Sequence, residues 1–191
     1  MSYVVAQHDR MISTMLMPCV VVAVDLSTGM VRVQSGDWTS AWVRWHSQAA
    51  GKARHWRVPS LKEQGVLLSP SGEAAMGTFI PGLYGNAGAQ PDNRDHVEVW
   101  RFDDGGSLVY DWEANSYTID LPAGNVTIKV GDSVLDMTPS SARLVSSQIN
   151  LVGVVTIDGE TQIHGGLNAT GDINSAGRVV DALGNTPNHK H

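Results

Sequence analysis

Two histidines separated by one residue, His189 and His191, have the spacing best suited to chemistry in this 191-residue chain. On an extended backbone, residues i and i+2 project from the same face, so both imidazoles point the same way. One chain then offers two nitrogen ligands, too few for a stable site. Three chains meeting on an axis offer six, which threefold symmetry can arrange as an octahedron. Imidazole suits iron, nickel, copper or zinc; structural zinc is usually tetrahedral, so six ligands favour iron(II), one ion per trimer. Such an ion would pin three chain ends at the point where fraying is greatest. The alternative is a polar tail without metal. His164, beside Gly165-Gly166, reads as a solvent-facing residue of a repeat, and His8, His46, His55 and His96 are dispersed without ligand spacing.

The remaining chemistry-bearing residues point away from catalysis. Asp103 and Asp104 are adjacent, but neighbours on a strand face opposite sides, and before Gly105-Gly106 they read as a turn rather than a glycan-cleaving carboxylate pair. Ser107 and the scattered histidines form no nucleophile motif. Trp38, Trp42, Trp45 and Trp56, with Arg44, Arg54 and Arg57, could be assembled into a sugar- or nucleic-acid-binding surface. However, 13 basic residues against 19 acidic ones leave a net charge of -6, the wrong sign for general polyanion binding, so no nucleic-acid partner is expected. The lone Cys19 excludes an intrachain disulfide framework and a cysteine-built zinc site. The apolar run from Met11 to Val24 is broken by Ser13, Thr14 and Pro18 and is too short to span a bilayer, so a soluble, cytoplasmically made protein is expected.

The elements that must position these residues change character along the chain. All six Trp, both Phe and all four Tyr lie at or before Tyr117, and the last 74 residues have none. The first part can build a core around large rings, whereas the second must pack small and branched side chains in something thin. From Ser2 to Leu16, apolar residues at near-helical spacing predict a short amphipathic helix, with Ser2 as N-cap and Pro18 as stop, packed on the following domain or docked on a partner chain. Val20–Val24, Met30–Gln34, Trp38–Trp45, Gly65–Ser69 and Met76–Ile80 then read as five short strands, with a polar connection from His46 to Pro59 after the third, which suggests a Greek-key barrel of OB type.

Asp95–Phe102 and Ser107–Trp112 predict two more strands. Beyond them come brief alternating segments at 117–121, 125–130, 133–137, 143–145, 148–151, 154–157 and 161–164, separated by Gly, Pro, Asn or Asp. Strands so short, with one apolar face and no aromatic anchor, bury too little to stand alone. A single-chain β-helix usually needs repeats of about 20 residues or more, and this segment would supply only a few turns. Three identical chains wound around one axis instead bury each apolar face against its copies and remove the open strand edges. The expected organisation is an all-β protein with an N-terminal helix over 1–17, an OB-type barrel over 18–104, an intertwined trimeric β-helix over 105–180 and a pointed, metal-binding apex over 181–191.

This order of elements resembles the baseplate assembly protein V, or central spike, of contractile-tailed bacteriophages. The resemblance is carried by Trp42-Val43-Arg44-Trp45, by the run from Pro59 to Pro70, by Ile80-Pro81-Gly82-Leu83-Tyr84, by Arg101-Phe102-Asp103-Asp104-Gly105 and by Asn188-His189-Lys190-His191. Two positions depart from the family pattern: Lys62 stands where glycine often precedes Glu-Gln, and the chain stops at His191 where relatives usually continue a few residues. The resemblance implies a homotrimeric, non-enzymatic spike at the tip of the virion tail baseplate. It would contact the hub and tail tube proteins and be driven transiently through the host outer membrane when the sheath contracts. It also implies iron at the terminal histidines, and further ions on the axis of the rod would be compatible with it. The spike of a related contractile injection or secretion system shares these mechanics, and an OB-fold binding module for sugar or nucleic acid is the remaining alternative.

Overall fold

The computed structural model describes residues 3–180, so the histidine-bearing apex lies outside the described residues. The first helix, α1 (Tyr3–Met15), runs directly into strand β1 (Leu16–Asp25). Pro18 was expected to stop the helix but lies within β1, opposite Val66. At that point β1 has a strand neighbour on one side only, because its pairing with the next strand starts at Val20, and an edge position tolerates the missing N–H.

Five strands close the barrel in the OB topology. Strand β2 (Met30–Ser35) pairs antiparallel with β1; after the short β3 (Trp38–Thr39), β4 (Val43–Trp45) pairs with β2. Strand β5 (Gln64–Leu68) pairs antiparallel with both β1 and β6 (Thr78–Leu83), and β6 runs parallel to β4. The circuit β1-β2-β4-β6-β5 thus returns to β1. A bulge between Val21 and Ala23 bends β1, so that its first half serves β5 and its second half β2.

The expected third strand, Trp38–Trp45, is split into β3 and β4 by Ser40. This buried hydroxyl accepts from Val33 N at 2.9 Å and donates to Ala41 O at 2.7 Å, satisfying backbone groups that a continuous ladder would have paired. Alternation along the strands sends Cys19, Val21, Val31, Val33, Val43, Leu67 and Phe79 inward as one core, with Met17, Val24, Trp45 and Ala74 packed against it. Gly65 is required by this packing: a Cβ there would run into the Ile80 carbonyl oxygen and fall 2.5 Å from the Phe79 ring.

A second, three-stranded antiparallel sheet follows, formed by β7 (Val97–Arg101), β8 (Ser107–Asp111) and β9 (Ser116–Asp120). The boundary expected between residues 104 and 105 falls inside the β7–β8 hairpin, in which Arg101 is opposite Ser107. The chain divides into two compact units, and the barrel and the β7–β9 sheet both belong to the first. Strands β10 (Val126–Val130), β11 (Ser133–Thr138) and β12 (Ser141–Val145) form a third small sheet.

The expected strands at 148–151, 154–157 and 161–164 are not formed within one chain, and no described residue after Val145 lies in a strand. The physical reason is the lack of a neighbour: each segment is exposed and has no partner strand in its own chain with which to complete a ladder.

Candidate functional site

The surface most in need of explanation is apolar and open. Beyond the barrel, Trp100, Tyr110, Tyr117, Ile119, Ile128, Val130, Leu144, Ile149 and Leu151 are all exposed, and Val152 and Val154 are each 99% exposed. Isolated exposed apolar residues are ordinary, but a run through successive β-segments is not. Exposed apolar residues in such a run are a surplus of the kind that obligately assembled chains bury between them.

Around this surface, the hairpin and loop geometry is tightly specified. In the β7–β8 turn, Gly105 has φ +88, Phe102 N donates to Gly106 O at 2.8 Å, and Asp104 Oδ1 accepts from Gly106 N at 2.9 Å. Asp103 and Asp104 therefore lie in a turn, as their position before two glycines predicts. Upstream, Glu63 is buried and accepts from Ser60 N and from Arg57 Nη2, each at 2.8 Å, which fastens the long connection to the start of β5. Lys62 N donates to Val21 O at 2.8 Å, tying the same loop to β1.

The candidate ligands fare differently from one another. His189 and His191 lie outside the described residues. His164 is exposed, and among the described residues no group of three or more His, Cys, Asp or Glu side chains is placed to hold a metal. His96 Nδ1 instead lies 3.2 Å from both Asp95 and Glu113. Trp45 packs against the core with Trp56 on it, their ring centroids 5.3 Å apart, while Trp38 and Trp42 are exposed. Burial pushes the Cys19 thiol up to about 11, which makes it a core residue with little thiolate character at neutral pH.

Comparison with known proteins supplies the context. Residues 17–84 match the family described as the type VI secretion system/phage-baseplate injector OB domain. Residues 98–175 match the Gp138 beta helical trimerization domain. The chain is also 26% identical to the spike protein of Escherichia phage P2, over 95% of this chain and 89% of that protein. Both matched segments, and the similarity along nearly the whole chain, are to components of phage baseplates and injectors. The chain's open apolar segments fall within the stretch matched to a trimerisation domain, which supports a homotrimer.

Sequence reasoning did not name the aromatic face of the β7–β9 sheet. The signal was present: Glu98 and Trp100, Leu108 and Tyr110, and Tyr117 and Ile119 each share strand parity, and the two hairpin registers bring the three pairs onto one side.

Proposed function

We propose that this spike is the puncturing tip of the tail: it caps the tube and hub and is pushed through the host outer membrane when the sheath contracts. The observation that carries the reading is the set of apolar β-segments left open on one chain, inside a trimerisation segment and leading toward a terminal His-x-His. Three such chains wound together satisfy their backbone hydrogen bonds within the rod and leave no hinge. A push at the base of the rod then reaches its end with little lost to bending. The energy comes from elsewhere in the assembly, so the spike's task is rigidity, and no turnover is required of it. After synthesis in the host cytoplasm, it would be incorporated into the baseplate.

At the apex, His189 and His191 from three chains would supply six imidazole nitrogens, a donor set suited to one iron(II). Its role would be to hold three chain ends together. Replacing both histidines by alanine should abolish bound metal, as read by elemental analysis of the purified protein, and leave a species of three times 20.5 kDa by light scattering. Unchanged metal content would overturn the ligand assignment. For puncture itself, electron microscopy of contracted particles on outer-membrane vesicles should find the tip inside the vesicle; tips consistently stopped at the outer face would refute it.

A second reading is favoured by the barrel's match to an injector OB domain found in type VI secretion systems as well as phage baseplates. The mechanics would be the same, and the neighbouring genes would separate the two.

A further inference from the structure

We infer that the loop between β4 and β5 is a docking surface for an acidic face of a different protein in the assembled baseplate. The inference rests on the baseplate reading above and names a contact outside the trimerisation match, which starts at residue 98.

Charge is spread unevenly along this chain. Residues 38–62 hold five of its 13 basic residues, Arg44, Lys52, Arg54, Arg57 and Lys62, and none of its 19 acidic ones. The same stretch carries four of the six tryptophans. A chain of net charge -6 thus contains a locally cationic segment rich in indole rings. Physiological salt screens exposed charges beyond about 8 Å, so such a segment acts on a close partner independently of distant acidic residues. Trp and Arg are also among the side chains enriched where protein–protein binding energy concentrates.

The loop is fastened at both ends. At its start His46 N donates to Phe79 O at 2.8 Å. At its end Arg57 Nη2 and Ser60 N donate to the Glu63 carboxylate, and Pro59 between them is buried. Gly51 N donates to Ala53 O and His55 N to Ala49 O, which folds residues 49–55 into a small hairpin with Ala50 opposite Arg54. Trp56 rests on Trp45, itself packed against the core, yet stays 63% exposed. Lys52 and Arg54 are exposed, and among the described residues their side chains have no hydrogen bond or ion pair. Arg57 differs, since Glu63 already meets its charge. Two uncommitted cations next to an open indole fixed in place need little further ordering to bind.

The chemistry of the loop selects a protein as its occupant. Carboxylates complement the two cations, and the indole offers an apolar face that a side chain can cover. A long polyanion would bring its own charge against the rest of an acidic chain, whereas a protein face presents carboxylates only where they are met. The loop also lies within residues 17–84, matched to the injector OB domain, which is the barrel that the proposed function sets against the hub and tube.

The test uses intact tails carrying the full chain. A water-soluble carbodiimide joins a lysine amine to a carboxylate only where the two touch, and mass spectrometry identifies both ends of the link. The expected result is Lys52 joined to an Asp or Glu of another baseplate protein. Lys52 left unlinked, or linked only to copies of this chain, in tails that contain the chain would overturn the inference and leave the baseplate reading standing. Tails that lack the chain would overturn both. In a second arm, Lys52→Glu/Arg54→Glu changes two exposed side chains and should keep the parent's mass by light scattering. Its incorporation into tails should fall about tenfold, while Lys52→Arg, which keeps the charge, incorporates as the parent does. Incorporation of the double variant within about twofold of the parent would overturn the inference. An oligonucleotide or lipopolysaccharide that shifts the free protein but not the double variant, with Lys52 unlinked in tails, would assign the loop to a polyanion and overturn the protein occupant.

Discussion

Lys62 adopts φ +68, a left-handed conformation that a Cβ disfavours, and it does so while its N–H donates to Val21 O, so the strain is held by a bond that fixes the loop to β1. This accounts for the departure read in the sequence: glycine suits that position because it reaches positive φ without steric conflict. Lys62→Gly should therefore stabilise the barrel by about 0.5–1 kcal/mol, the relief of left-handed strain less the added freedom of the unfolded chain. Chemical denaturation would check it, and a loss of stability would contradict the argument. Glu63 beside it is a second such position. With its carboxylate bonded to Arg57 and to Ser60 N, Glu63→Ala should cost about 1–3 kcal/mol, mostly from the backbone donor left behind, in the same measurement. Asp25 supplies a pH test. Hydrogen bonds from the Ser27 and Thr28 side chains hold its carboxyl down at about 2, below the ordinary 3.8. Because the folded value is depressed, the stabilisation from this turn is complete above about pH 3.8 and is lost as pH falls through about 2. Carboxyl NMR should find the midpoint moving upward in a Ser27→Ala/Thr28→Val double variant, and an unmoved midpoint would refute the assigned cause.

At the level of elements, the barrel strands were legible because each is a short β-branched or aromatic run bounded by turn residues, and because burial on one face imposes alternation. Two details were hidden for reasons of tertiary context. Pro18 reads locally as a helix stop, yet the helix ends at Met15, and Pro18 is accommodated because β1 is paired on one side there. Ser40 interrupts Trp38–Trp45 by bonding to a neighbouring strand, which no local pattern shows. Gly65 is the most exacting position in the barrel wall. With the Phe79 ring lying against it, Gly65→Ala should destabilise the barrel by about 1–3 kcal/mol through overpacking. The same variant should still form trimers, because the segment matched to a trimerisation domain lies beyond the barrel. A Gly65→Ala protein with unchanged thermal stability would refute the close approach of both the Phe79 ring and the Ile80 carbonyl.

At the scale of the whole molecule, the absence of rings after Tyr117 was enough to predict mutual winding, because thin strands cannot hide their apolar faces from water alone. The individual strands at 148–164 could not be recovered from one chain, since the ladders that define them need other copies. His189 and His191 lie outside the described residues, so their expected role as ligands rests on the sequence alone. One truncation separates the two roles of the chain. A protein ending at His96 keeps the closed five-strand barrel and its core of Val21, Val31, Val33, Val43, Leu67 and Phe79, but loses every strand from β7 onward. The barrel has its own buried core, whereas the match to a trimerisation domain begins at residue 98. The truncated chain should therefore fold and run as a monomer by light scattering, while the full chain has three times the 20.5 kDa chain mass. A truncated chain that remained trimeric would move the dominant interface into the barrel and leave the surplus surface of the β-segments without its explanation.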